Sequence, residues 1–193
     1  MNSVFRILLL ATILYGGTAM ATEEPTYDVL LETRHYEVRR YQPYIVAEVD
    51  VDEEFERAGA SAFRVLAAYI FGDNEPQQKM NMTAPVESAE SDAPYTYAFV
   101  MERKYTMESL PKPTNPDIRV VRRPARIMAV HRYSGGWSEE RYREHERTLL
   151  DALAADRVGT KGAPVFARYN APFTPWFLRR NEIMVEIDWK DTD

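Results

Sequence analysis

The chain has 193 residues, 45% of them hydrophobic and 28% charged, which suits one globular domain with a core of its own. Its 30 acidic residues outnumber 24 basic ones, for a formal charge of −6, and this argues against a general nucleic-acid binder and against electrostatic docking to anionic lipid. The absence of cysteine excludes disulfides, a thiol nucleophile, thiolate metal sites and a prosthetic group attached covalently through C-x-x-C-H.

Residues 1–21 read as an export signal. Arg6 supplies a weak positive start, Ile7 to Tyr15 form a short apolar run, Gly16, Gly17 and Thr18 break it, and Ala19-Met20-Ala21 gives the small-x-small cleavage pattern. The run is too short to cross a bilayer as a helix, and without cysteine there is no lipid-anchored version of the signal. The expected mature chain is 22–193, with Arg6 the one charge lost and a formal charge of −7. It is expected to be periplasmic or secreted, with no stable membrane anchor after cleavage.

Thr22 to Tyr27 is polar and is expected to be loose. Tyr36–Tyr41 and Tyr44–Val51 alternate as two strands around a Gln42-Pro43 turn. Asp52 is placed to cap a helix running to Phe71, which Gly72-Asp73-Asn74 ends. Phe55, Ala58, Ala62, Phe63, Leu66, Tyr69 and Ile70 fall on its apolar face. Arg57 and Arg64, seven apart, share the opposite face, with Ala60, Ala67 and Ala68 beside them, so that face reads as cationic and shallow. Met82–Ala89 and Tyr95–Met101 read as strands joined by a polar hairpin. A proline-rich link follows, with Pro111, Pro113 and Pro116.

The pattern then restarts. Ile118–Arg122 and Arg126–Tyr133 read as strands, Ser138 to Asp156 as a helix behind Gly135-Gly136, and Val165–Tyr169 and Ile183–Ile187 as closing strands. Tyr36 and Ile118 stand 82 positions apart, and so do Ile45 and Ile127. Two β-β-α-β-β halves sharing one core follow from this, because neither half buries both its sheet and its helix alone. The expected fold class is α+β: a pseudo-two-fold, distorted antiparallel β-barrel or pair of facing sheets, flanked by two helices.

Chemistry-bearing residues are few. His35, His131 and His145 show no metal-site spacing. His145, on the apolar stripe of the second helix, reads as a satisfied, partly buried side chain. There is no G-x-S-x-G and no phosphate-holding glycine loop. Glu53-Glu54 and Glu139-Glu140 suit helix starts. Nothing argues positively for an enzyme. Met80 and Met82 point the same way along an extended chain; gap filling is the commoner role of such a pair, iron ligation the rarer. The segment 171–182 sets Phe173, Trp176, Phe177 and Leu178 in a proline-punctuated loop beside Arg179 and Arg180. Buried, these four plug the barrel end. Exposed, they form an apolar patch with cations at its border, suited to flat apolar ligands with carboxylate arms.

Several stretches, in order along the chain, resemble the SOUL haem-binding family: Tyr36-Glu37-Val38-Arg39, Met82-Thr83-Ala84-Pro85-Val86, Gly135-Gly136 before the second helix, and Tyr169 through Arg179-Arg180-Asn181-Glu182-Ile183. The resemblance implies a SOUL-like domain over 22–193 with a two-fold pseudo-symmetric distorted barrel and two helices. It also implies non-covalent binding of haem or related tetrapyrroles as carrier, buffer or scavenger. The implied groove falls on Arg57, Ala60, Arg64 and Ala68 of the first helix and under Phe173, Trp176, Phe177 and Leu178. Some relatives place a histidine ligand directly before the tyrosine of the first strand; Arg40 stands there, so iron binding without a strong axial ligand is expected. The alternative is a protein-interaction module using the 173–178 loop, with no physiological tetrapyrrole. An enzyme acting on a tetrapyrrole or other small apolar acid ranks last.

Overall fold

The computed structural model describes residues 22–91 and 95–189. The leader expected over 1–21 and residues 92–94 of the hairpin lie outside them. In chain order the elements are β1 (Tyr27–Glu32), β2 (Glu37–Tyr41), β3 (Tyr44–Val51), α1 (Phe55–Ile70), β4 (Asn74–Glu75), β5 (Val86–Ala89), β6 (Tyr95–Val100), β7 (Lys112–Pro113), β8 (Arg119–Arg123), β9 (Arg126–Tyr133), α2 (Glu139–Ala155), β10 (Thr160–Arg168) and β11 (Asn181–Ile187). One 3₁₀ turn, Trp176–Leu178, sits between the last two strands. Among the described residues no helix is long and apolar enough to cross a membrane.

Nine strands form one antiparallel sheet in the order β1-β2-β9-β11-β10-β5-β6-β3-β8, curled into a half-barrel with both helices on one face. Apart from β1 the order is a palindrome of the two halves, each of which lends its first strand to the other. Thus β2 pairs with β9, and β8 pairs with β3. The registers match as well. Glu37 faces Val130 and Arg119 faces Glu48, and each residue of one pair stands 82 positions from its counterpart in the other. The halves meet where Val86–Ala89 of β5 pairs with Val165–Arg168 of β10. The expected duplication is therefore present in strand exchange. Because the sheet ends at β1 and β8, the barrel is open.

Period-two alternation sorts the side chains. Ala47, Val49 and Val51 of β3, with Tyr97 and Phe99 of β6, meet Ala58, Ala62, Leu66 and Ile70 of α1. Ala129 and Tyr133 of β9, with Ile183 and Val185 of β11, meet Tyr142, Leu149 and Leu153 of α2. The other face of the sheet carries a third cluster around Val46, Val100, Met128, Val130, Ala167 and Met184. Met80 is buried in the α1 cluster and Met82 packs against it, so both fill apolar space.

Helix ends differ in their chemistry. Ser138 caps α2 by accepting from the Arg141 N–H, and Glu139 and Glu140 occupy the first turn, where the dipole favours anions. The expected cap at Asp52 is not formed. The N-cap of α1 is Glu54, which makes no side-chain capping bond, and the helix begins at Phe55. At the other end, Gly72 adopts φ +120° and lets the chain leave the helix. The segment after Ala21 is also not loose. The Glu23 carboxylate accepts from Arg103, the Glu23 carbonyl accepts from the Ala84 N–H, and Tyr27 already belongs to β1.

The Arg180-Asn181-Glu182 run anchors β11 to its neighbours. Glu182 is fully buried. Its carboxylate accepts from Arg39 Nη1 at 2.9 Å and Nη2 at 3.2 Å, from the Tyr169 hydroxyl at 2.7 Å and from Arg180 Nε at 2.9 Å. Arg180 also holds Glu24 at 2.9 Å. Burial alone would raise the Glu182 pKa, but the charge and hydrogen bonds of Arg39, then Arg180 and Tyr169, outweigh it and hold the carboxyl below its ordinary value. Asn181 accepts from the Trp137 indole N–H at 2.8 Å and donates to the Gly135 carbonyl at 3.2 Å, which fixes the chain entering α2.

Removing Glu182 takes the shared, fully buried carboxylate from Arg39 and Arg180, leaving them Glu37 and Glu24 at the margin, so Glu182→Ala is expected to cost about 3 kcal/mol in urea unfolding. With a folded pKa below the unfolded one, the contribution of Glu182 is complete above the unfolded carboxyl value of about 4.3 and is lost as pH falls through the lower folded value. Unfolding curves from pH 7 to 3 should show the wild type losing more stability than Glu182→Ala across that window.

Candidate functional site

Helix α1 packs over β3 and β6, and α2 over β9 and β11. The central pair β5–β10 is left between them, and a cleft of about 420 Å³ opens there. One wall is a stripe of α1: Glu56, Gly59, Ala60 and Phe63 recur at helical spacing, with Phe55 at the end. The opposite wall is Trp137, held by Asn181, with Asn170 and Pro172 from the chain leaving β10. Val86, Tyr97 and Arg168 form the floor. The volume is that of a small-molecule site, and the lining is mainly apolar and aromatic.

Arg168 is the unusual group. Its guanidinium carbon stands 5.7 Å from the Phe55 ring centroid, 5.3 Å from Trp137 and 4.7 Å from Phe166. Among the described residues it has no ion-pair partner, and its Nε is buried without a hydrogen-bond acceptor. The Tyr97 and Tyr133 hydroxyls are buried beside it; burial raises their pKa values and the Arg168 cation opposes the rise. Burial lowers the Arg168 pKa from the usual arginine value, and the side chain remains a cation. The buried Arg39 faces Glu182, and Arg126 bonds the Tyr44 hydroxyl near Glu87. Aromatic rings and tyrosine hydroxyls surround Arg168, and no acid is paired with it among the described residues. Such a site is ready for an anion.

Of the residues singled out by sequence, Ala60 lines this cleft. Arg57, Arg64 and Ala68 lie roughly 100° further round α1, on its exposed side. Arg57 makes a surface ion pair with Glu54 at 3.5 Å. Phe63, expected in the core, is 43% exposed and forms part of the cleft wall, edge-on to Phe99. The loop after β10 reaches the cleft with its base and carries its greasy tip outside: Phe173 is 90% exposed, Trp176 64%, Phe177 59% and Leu178 65%. Arg179 organises that loop. It donates to the carbonyls of Thr174 and Pro172 and lies 4.1 Å from the Trp137 ring centroid. Arg180 is spent on Glu182 and Glu24. Arg168 was missed because arginine in a strand reads as solvated. Its parity with the core residue Phe166 placed it on the helix face.

The histidines gather elsewhere. His131 Nδ1 contacts the His35 carbonyl at 2.7 Å, so that nitrogen carries the proton and His131 Nε2 accepts from His145 Nδ1 at 3.1 Å. His145 Nε2 is then buried without a donor, and burial followed by the neighbouring His131 lowers its pKa. The expected satisfied histidine is satisfied at one nitrogen alone. Among the described residues no group of three or more His, Asp or Glu side chains could hold a metal ion.

The chain belongs to the SOUL family: the family model described as "SOUL heme-binding protein" matches residues 22–186. It is 25% identical over 190 residues to heme-binding protein 2 of Mus musculus, covering 89% of this chain and 93% of that one. Among solved structures it is similar to the EcmrR C-terminal domain, with a TM-score of 0.60 at 10% identity and 84% and 98% coverage. It is also similar to a hydrolase from Listeria innocua, with a TM-score of 0.54 at 12% identity and 82% and 94% coverage. At such identities the two structures attest the α+β fold and nothing of the activity.

Arg179→Ala removes two carbonyl contacts and a ring contact from the loop without touching either core cluster. Amide exchange over 171–178 should rise several-fold while global stability changes by about 1 kcal/mol, as read by exchange mass spectrometry and urea unfolding.

Proposed function

We propose that the chain binds haem or a related tetrapyrrole non-covalently in the cleft over β5–β10, acting as a carrier, buffer or scavenger. The observation that carries this is the cleft itself, which joins aromatic walls to an unpaired guanidinium in a chain whose family is described by haem binding. Phe55, Phe63 and Trp137 offer faces and edges to a flat conjugated ring. Arg168 offers a propionate its counter-charge. The fit stops at the iron. Among the described residues no histidine or methionine lines the cleft, and the Tyr97 hydroxyl stands against the Arg168 guanidinium at its floor. Haem brings redox and ligand-binding iron chemistry wherever it is bound. These residues hold the ring and its acid groups.

A ring partly covered by these side chains buries a few hundred Å² of apolar area, worth several kcal/mol at roughly 25 cal/mol per Å² before association costs, which corresponds to affinity of about micromolar strength. Binding rather than turnover is the reading favoured here, since the cleft combines no acid–base pair with a nucleophile. The tip of the 173–178 loop favours a second reading, a protein-docking element, because four exposed apolar side chains make a patch that monomers seldom keep. We further propose that the protein works after export, in a periplasmic or extracellular setting, on the strength of the pattern ending at Ala19-Met20-Ala21.

Titration of the 22–193 chain with haem should shift the Soret band with a dissociation constant of about 1–50 μM, and metal-free porphyrin should bind within about threefold of haem. An unchanged spectrum at tens of micromolar removes the tetrapyrrole reading. If Trp176→Ala abolishes capture of a partner while porphyrin stays unbound, the docking reading replaces it. Intact-mass analysis of the full-length product made in a secreting host should give a chain beginning at Thr22; retention of residues 1–21 contradicts the export proposal.

A further inference from the structure

Arg168 is a cation at the floor of the cleft that the fold leaves without an acid. Its half-buried guanidinium lies among Phe55, Trp137 and Phe166, with its Nε buried and no carboxylate partner among the described residues. The Tyr97 and Tyr133 hydroxyls are buried beside it. A cation with rings and hydroxyls about it and no acid paired to it lacks the counter-charge that an anion would bring.

The way in is also built. Gly59 of α1 lies directly over this group. A Cβ added at Gly59 would stand 3.2 Å from Arg168 Nη1 and 3.5 Å from the Tyr97 hydroxyl oxygen. The missing side chain leaves a gap in the α1 stripe above the guanidinium, between Phe55 and Phe63. The rim is different. Glu56 sits there, and the exposed Arg57 is already paired with Glu54. An acid group is therefore repelled at the mouth by Glu56 and attracted at the floor.

We propose that Arg168, Tyr97 and Gly59 form a carboxylate seat at the floor of the cleft, so that the ligand is an amphiphilic organic acid that enters acid-first and leaves its apolar body against Phe63 and Trp137. This deepens the tetrapyrrole reading and rests on the same cleft: one propionate goes inward, and no surface guanidinium is needed. It also names a wider ligand class, because a single carboxylate on any apolar body satisfies the seat.

The test compares protoporphyrin IX with its dimethyl ester, and dodecanoate with dodecanol, by calorimetry on the 22–193 chain and on Arg168→Met and Gly59→Ala. The expected result is that each acid binds the wild type at least about tenfold more tightly than its uncharged partner. Arg168→Met should erase that ratio with little change for the uncharged ligands, and its thermal midpoint should rise, because an unpaired buried charge has gone. Gly59→Ala keeps the charge and favours the helix, and should weaken the acids several-fold by filling the gap. Equal binding of acid and ester overturns the seat while leaving the tetrapyrrole reading intact. Dodecanoate binding that depends on Arg168, with no porphyrin bound, sustains the seat and removes the tetrapyrrole reading. If neither acid binds, both fall. A lowered midpoint in Arg168→Met with the acid preference unchanged makes the arginine structural and also overturns the proposal.

Discussion

The short antiparallel pairing of Val86–Ala89 with Val165–Arg168 is the constraint on which everything else depends. It is the seam of the pseudo-two-fold. On either side of it each half completes its sheet with a strand borrowed from the other, so neither half has a finished core without its partner. Each helix covers its own half's strands and stops short of the seam. The cleft is the space that this arrangement leaves, and Val86 and Arg168 of its floor pair directly across the seam. A duplicated fold thus produces one central site, walled by α1 on one side and by Trp137 and the chain leaving β10 on the other.

Two arginines on opposite faces of the sheet, Arg39 buried and Arg168 half-buried, show how differently the same residue is used. Arg39 lies among Glu37, Tyr41 and Glu182, with every charge matched, and it ties β2 to β11 across β9. That arrangement serves the fold, since removal of one member strands the others. Arg168 has rings for neighbours and no acid. A cation that lines the cleft with no acid paired to it among the described residues points to a ligand rather than to the fold.

Much of the architecture was legible in the sequence because duplication leaves a fixed offset. The 82-residue spacing that relates Ile45 to Ile127 is the same spacing that relates the registers of β3–β8 and β2–β9. Strand β1 lies outside the duplicated unit, and its apolar Val29 and Leu31 face solvent at the sheet edge, so it showed no core pattern. The site was less legible. Helical periodicity assigns Phe63 to the buried face, while the gap between the two helices leaves it open to solvent. Arg57 and Arg64 drew attention as cations on a shallow face, yet they lie a quarter turn from the cleft stripe. The cation on the floor is in a strand, and only pairing across the seam brings it under α1. Aromatics and a guanidinium do converge in one cleft, through Phe63, Trp137 and Arg168 rather than through the loop tip.

Ligand placement tests the central claim most directly. Hydrogen exchange of the 22–193 chain, with and without saturating protoporphyrin IX, should slow over the first turns of α1, residues 55–63, and over residues 166–172. The 173–178 tip and the sheet face opposite the helices should stay unchanged. Protection confined to the loop tip, or to the face around Met128 and Met184, would contradict the account.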